Sequence, residues 1–168
     1  MKLIFVLIFT SIQTFAVNRP YTEVIDELVS ESCEKKKENL FLEKDIIKKI
    51  EEKSEVKIYG GLALRYVETC GDEKIYHYVD SHIVRTLNET VVITIKEDKV
   101  ASFKVASFGE PAEYKAPNKW YHQFAGYAGD KLLKGNVNVD VLSGATLTVN
   151  SSVSAVNKIM VMHKLLKR

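Results

Sequence analysis

The sequence predicts an α+β domain, in which helices pack on a mainly antiparallel, twisted sheet. Residues 43–53 place three isoleucines on one helix face and charges on the other. Residues 90–95 and 100–105 are strand-like segments separated by a short turn, as in a β-hairpin. Apolar residues between positions 153 and 162 recur every three or four positions, which predicts a closing helix.

The first half of the chain is predicted to contain two helices and a strand. The helices cover residues 21 to about 36 and residues 43–53, and the mixed charges at 34–38 are expected at a solvated helix end. Residues 56–69 form the strand, and two adjacent glycines at 60 and 61 mark a bulge or bend in it.

The second half begins with strands and ends in the helix. A turn at residues 70–73 leads into a strand that continues to about residue 84, and the hairpin follows. Pro111 and Pro117 bracket an irregular segment, after which Asn118 is expected to cap a short helix. A strand-like run at 137–139 precedes the last helix.

The first residues are typical of a secretory signal peptide. Lys2 precedes an apolar run at 3–9, and Ala16 is a plausible cleavage position, which predicts a signal peptide over residues 1–16. The run is shorter than the roughly 20 residues that a spanning helix needs. An uncleaved anchor is the alternative. Residues 17–59 then form an N-terminal helical segment, in one compact unit with residues 60–168.

Cys33 and Cys70 would face an oxidising compartment if the chain is exported, and the sequence leaves open whether they form a disulfide. The four histidines are scattered and no metal-ligand spacing is present, so we expect no metal site. The net charge of +2 offers no basic surface for nucleic acid.

The most informative motif lies at the start of the closing helix. Ser143, Gly144 and Ala145 are small enough for a tight turn. Thr146 and Thr148 follow where a new helix offers unpaired N–H groups, an arrangement that suits a phosphate. An ordinary loop with a capping threonine is the alternative.

With Asp140, this motif becomes Asp-x-x-Ser-Gly-Ala-Thr, which resembles the flavinylation motif of FMN-binding domains. That family includes flavin-carrying components of the sodium-pumping NADH:quinone oxidoreductase and of the Rnf complex. Residues 82–86, 108–114 and 120–126 also resemble its small stand-alone periplasmic members, so the resemblance covers residues 60–168. It implies an FMN-binding-domain-like fold and FMN joined to Thr146 by a phosphoester, installed by a flavin transferase that uses FAD.

Further candidate residues surround this motif. Asp140 is expected either to be recognised by the transferase or to order the loop. Glu110 could orient a flavin N–H or hydroxyl group, and Arg85 could neutralise the phosphate or the flavin; a salt bridge in the sheet is the alternative for Arg85. Aromatic residues are candidates to line the ring or, alternatively, to pack in the core. These are Tyr114, Trp120, Tyr121 and Phe124.

The predicted function is electron transfer outside the cytoplasm, between a membrane donor and an envelope redox protein, with peripheral membrane association as an option. A flavin transferase would be a further partner. No nicotinamide-binding fingerprint or acid–base pair is evident. The alternatives are a non-redox binding or structural protein with the same fold and a flavin reductase with a small acceptor.

Overall fold

The computed structural model describes residues 18–167, so the predicted signal peptide lies outside the described residues. Its centre is a five-stranded antiparallel sheet in which every strand pairs with the next one along the chain, in the order β1-β2-β3-β4-β5. The strands are β1 Glu34–Phe41, β2 Leu62–Cys70, β3 Glu73–Ile83, β4 Asn88–Lys96 and β5 Lys99–Phe108. With the helices packed on this sheet, the predicted α+β class is confirmed.

Helices cover both faces of the sheet. The helices are α1 Tyr21–Leu28, α2 Lys44–Ser54 and α3 Thr146–Leu166, with short 3-10 helices at Ala112–Tyr114 and Asn118–Phe124. On one face, α2, α3 and the second 3-10 helix enclose the main core. On the other, Val24 and Ile25 of α1 pack against Val92 and Ala106. β4 is therefore almost completely buried, as strands covered on both faces are.

The helix predicted for residues 21 to about 36 is wrong beyond Leu28, because residues 34–41 form β1. This strand pairs with β2 in a register that places Glu34 opposite Thr69. Its mixed charges lie at a largely exposed sheet edge, where charged side chains discourage pairing with other chains. Long-range pairing has here overridden a local pattern that also suits a helix.

A disulfide joins β1 to β2, which answers the question that the sequence left open. Cys33 lies opposite Cys70, one position beyond the last strand pair, and their Cα atoms are 4.8 Å apart. The bridge therefore ties the edge strand to its neighbour rather than a helix to a turn.

Three smaller expectations are also wrong. The strand expected from residue 56 begins at Leu62, and Gly60, with φ of +107°, precedes it. Asn118 is the first residue of its 3-10 helix, and Pro117 occupies the position before it. Residues 137–139 contribute a single bridge, between Gly135 and Val139, rather than a strand.

Between residues 18 and 167, no helix combines the length and the apolar character needed to cross a bilayer.

Candidate functional site

A tight turn leads into α3. The N–H of Ala145 donates to the carbonyl of Leu142 at 3.1 Å, and Gly144 has φ of +83°. A positive φ at the third position is what a type II turn requires, and glycine adopts it without steric cost. Ser143 and Gly144 are exposed at this turn, whereas the side chain of Ala145 is buried.

Thr146 is the first residue of α3, as predicted, and it is exposed. Ala145 precedes it and cannot cap the helix through its side chain. The N–H of Val149 makes the first helical bond, to the carbonyl of Ala145 at 3.0 Å. The amides of residues 146–148 therefore have no acceptor in the helix and point to the end where the helix dipole is positive. An exposed hydroxyl beside unpaired amides suits a phosphoester.

Thr148 is in a different environment from Thr146. Its side chain is 1% exposed, and its hydroxyl donates to the carbonyl of Tyr114 at 2.5 Å. This bond ties the first 3-10 helix to the first turn of α3. The buried Thr148 thus fixes the first turn of α3, while Thr146 faces solvent.

Glu110 shapes the loop between β3 and β4. One of its carboxylate oxygens accepts hydrogen bonds from the N–H groups of Arg85, Thr86 and Leu87, at 3.2, 2.6 and 2.7 Å. The bonds from Thr86 and Leu87 lower the pKa of Glu110, so it is ionised at neutral pH. This oxygen is already occupied by the chain's own amides.

Arg85 lies at the top of the same loop and is exposed. Its guanidinium carbon is 5.9 Å from the ring centroid of Tyr114, a distance at which a cation interacts favourably with an aromatic ring. Because the carbonyl of Tyr114 accepts the bond from Thr148, the structure brings Arg85, Tyr114 and the start of α3 together. Arg85 is therefore connected to the first turn of α3 through Tyr114, and its role beside the phosphate remains a prediction.

The aromatic candidates other than Tyr114 are buried. Trp120, Tyr121 and Phe124 pack against one another and against Phe103, with centroid distances between 4.8 and 5.3 Å. They form the core beneath the site, which is the alternative that the sequence analysis left open for them.

Trp120 also holds the motif in place. Its indole N–H donates to the carbonyl of Asp140 at 2.8 Å, and the N–H of Asp140 donates to the side-chain oxygen of Gln123 at 2.8 Å. The second 3-10 helix thus fixes the backbone on which the turn begins. The carboxylate of Asp140 remains on an exposed residue.

A cavity of about 740 Å³ lies between α3, β2, β3 and residues 56–60. Its wall includes Asp80, His82 and Lys158, a group that the sequence analysis did not identify. Asp80 and His82 alternate along β3 and so share one face, but only the packing of α3 on that face brings Lys158 to them.

These residues and Glu89 form a continuous charge network. The Lys158 Nζ donates to Asp80 at 2.6 Å, and the two ring nitrogens of His82 lie 3.0 Å from Asp80 and from Glu89. Burial by itself would lower the pKa of His82, but the hydrogen bonds that its ring N–H groups donate to the two carboxylates outweigh burial and raise the pKa to about 9. Burial likewise opposes ionisation of Asp80, yet His82 and Lys158 lower its pKa. At neutral pH, His82 is therefore protonated and Asp80 is ionised.

Fold and site together define an α+β ligand-binding domain whose last helix begins at a turn suited to a phosphate. Residues 88–161 match the family model of the FMN-binding domain. This match, over 74 of the 168 residues, confirms the predicted resemblance to the FMN-binding domain family and supports FMN as the cofactor. Comparisons with curated proteins and with solved structures find no significant match.

The matched region runs from β4 to the third quarter of α3 and includes the complete motif. The exposed Thr146 hydroxyl and the unpaired amides of the first helical turn fit the phosphate end of FMN. Thr146 and the amides of residues 146–148 are the groups that would hold it.

Proposed function

We propose that this protein is an exported electron-transfer flavoprotein that carries FMN on Thr146 through a phosphoester. It would pass electrons from a membrane donor to an acceptor in the cell envelope. The observation that carries this proposal is the exposed Thr146 at the uncapped start of α3, inside the region that matches the FMN-binding domain. Bound FMN would supply the capacity to accept and release electrons, which protein side chains lack.

The attachment can be written as a balanced transfer. The Thr146 oxygen attacks the phosphorus on the FMN side of FAD, a P–O bond forms, and the bond to the departing AMP breaks. The hydroxyl proton passes to a base of the flavin transferase, and no electrons are exchanged. A free hydroxyl is a weak nucleophile, so an external enzyme explains why the site needs no base of its own.

The surroundings of Thr146 favour a phosphate after attachment. The start of a helix stabilises an exposed anion by roughly 0.3–1 kcal/mol. In this proposal Arg85 supplies a second positive charge: its guanidinium is exposed over the ring of Tyr114, whose carbonyl accepts the hydrogen bond from Thr148 in the first turn of α3. The covalent bond keeps the cofactor on a carrier that works outside the cytoplasm.

The Cys33–Cys70 disulfide supports an exported location, because structural disulfides persist mainly in oxidising compartments. The expected signal peptide at residues 1–16 agrees with this proposal.

The test is the intact mass of the denatured protein after coexpression with an active flavin transferase and export. We expect an increase equal to FMN less one water, located on the peptide that contains Thr146. The Thr146→Val variant should lack this mass, and its free energy of unfolding should change by less than about 0.5 kcal/mol, because the residue is exposed.

Thr148→Val is the matched control, two residues away and with the same chemical change. It should retain the FMN mass but lose roughly 1–3 kcal/mol of stability, because the carbonyl of Tyr114 loses its donor. An unmodified wild-type protein, beside a second substrate that the same transferase does modify, would contradict the proposal and favour a non-redox binding protein.

A further inference from the structure

The cavity between α3 and the sheet has room for a group much larger than a phosphate. We propose that it holds the isoalloxazine ring of the FMN and that Lys158 is the cation that faces the ring. This inference rests on the proposed attachment at Thr146.

The face of α3 that lines the cavity leads back to the attachment point. Ser151, Ser154 and Lys158 line the cavity. Leu147 lies on the same face, because residues four, seven and eleven positions apart on a helix are aligned. With a rise of about 1.5 Å per residue, the axial distance from Thr146 to Ser151 is about 7.5 Å and to Lys158 about 18 Å. Thr146 points about 100° around the helix from Leu147, so the flexible ribityl chain of an FMN joined to it would turn onto this face and then extend along it to the cavity.

The walls suit a flat conjugated ring, whose two faces are apolar. About half of the side chains along them are apolar and non-aromatic, contributed by the sheet, by α3 and by the segments that precede α2 and β2; they include Leu42, Ile58, Leu64, Val79, Ile159 and Met162. Around the mouth, Tyr59 is 96% exposed, Leu62 62% and Ile83 63%. A cluster of exposed apolar side chains around a cavity is typical of a ligand-binding site.

The buried aromatic residues that the sequence suggested as ring contacts cannot line this cavity. Trp120 and Phe124 are buried against Phe103 and Tyr121, and the indole N–H of Trp120 is bonded to Asp140. None of these residues lines the cavity. The ring would therefore contact aliphatic side chains rather than stacked aromatic ones.

Lys158 is the member of the charge network with N–H donors that are not used within the network. Both ring nitrogens of His82 are engaged, with Asp80 and with Glu89. An ammonium group has three N–H donors, and the one hydrogen bond of Lys158 within the described residues, to Asp80, leaves two for a ligand in the cavity. Its side chain is 14% exposed, so its charge acts with little screening by water. Asp80, His82 and Glu89 are then positioning residues that hold Lys158.

A positive charge against the ring favours the reduced cofactor, because reduction adds negative charge. In FMN-loaded protein, Lys158→Met should weaken the preference for the reduced form about tenfold, which lowers a two-electron midpoint potential by about 30 mV. Lys164→Met removes the same charge from the same helix but lies outside the cavity, beside Gly129, so the potential should change much less.

A second pair of substitutions tests the position of the ring. Ser151→Leu combined with Ser154→Leu narrows the cavity without touching Thr146. The intact mass should still show FMN, while iodide should quench the flavin fluorescence more strongly than in the wild type. Circular dichroism checks that both variants remain folded.

The outcomes separate this inference from the proposed function. Absence of the FMN mass overturns both. If FMN is attached but iodide quenches the wild type and the double variant equally, the ring does not lie in the cavity. The proposed function is unaffected by that result. A shift in potential that is the same for Lys158→Met and Lys164→Met overturns the role of Lys158.

Discussion

Thr146 and Thr148 are separated by one residue, yet their environments differ completely. Thr146 begins α3 with its side chain in solvent, whereas the hydroxyl of Thr148 is buried against the carbonyl of Tyr114. Glu110 resembles Thr148 in this respect, because it binds backbone amides of the chain itself. Two of the predicted ligand residues, Thr148 and Glu110, are therefore engaged by the backbone of the chain itself, whereas the exposed Thr146 is the residue proposed for the covalent bond.

The loop between β3 and β4 should depend on Glu110. Glu110→Gln replaces the charged acceptor of three amides with a neutral one, so amide hydrogens of residues 85–87 should exchange faster with solvent. Exchange measured by NMR checks this. Glu113→Gln changes an exposed carboxylate three residues away and should leave the exchange rates unaltered; equal rates in both variants would contradict the role of Glu110.

His82 should make stability depend on pH in the alkaline range. Its pKa is about 9 in the folded protein and about 6.5 when unfolded, so its contribution is fully present below pH 6.5 and is lost as pH rises through 9. The total loss is of the order of 3 kcal/mol. Urea unfolding between pH 6 and 10 measures it.

His82→Gln should be less stable at pH 7 and should show a much flatter profile in this window. His122→Gln, which changes an exposed histidine, should keep the wild-type profile. The pKa values of His77 and His163 are lowered by burial, so these histidines titrate below the window. A wild-type profile that is flat between pH 7 and 9 would contradict the prediction.

At the level of elements, the two edge strands of the sheet are held by different interactions. β1 is a charged, largely exposed edge strand, and a disulfide fixes one of its ends to β2. On the far side, β5 packs against the second 3-10 helix through Phe103, Tyr121 and Phe124. The same 3-10 helix holds the backbone of Asp140, so the packing of β5 also positions the start of α3.

Removing the disulfide should destabilise the fold substantially. Cys33 and Cys70 are separated by 37 residues, and closing a loop of that length in the unfolded chain corresponds to about 4 kcal/mol in the chain-entropy description. The double variant Cys33→Ser with Cys70→Ser should therefore lose 2–4 kcal/mol, approximately, in urea unfolding. A reductant should lower the stability of the wild type and leave the double variant unchanged. Equal stability of the two proteins would show that the bridge is dispensable.

At the level of the whole molecule, one sheet connects the matched region to the preceding residues. β4 belongs to the matched region and β3 precedes it, yet the two strands pair along their length, with His82 opposite Glu89. The charge network likewise takes Asp80 and His82 from outside the matched region and Glu89 and Lys158 from inside it. The structural unit is therefore larger than residues 88–161.

Unfolding should accordingly be a single cooperative transition over residues 18–167. Trp120 is the only tryptophan in the sequence and reports on the matched region, whereas far-ultraviolet circular dichroism reports on all elements. The two signals should give the same denaturation midpoint, and a fragment of residues 88–161 should not fold, because β4 would lose its partner β3. Two separate midpoints, or a folded fragment, would contradict this.

Local patterns determined much of the fold. The amphipathic spacing of α2, the hairpin of β4 and β5 and the start of α3 at Thr146 follow from side-chain periodicity and turn chemistry, which act over a few residues. The motif around Thr146 likewise depends on contiguous residues, so the sequence by itself indicated the family resemblance and the candidate attachment residue.

The tertiary structure decided what depends on distant partners. Residues 34–41 are a strand because β2 pairs with them, and Trp120 is a core residue because α3 and β5 enclose it. Lys158 meets Asp80 across 78 positions in sequence, and the cavity beside them exists only where α3 crosses the sheet. No local pattern encodes such neighbours, because long-range packing depends on the combined shape of elements far apart in the chain.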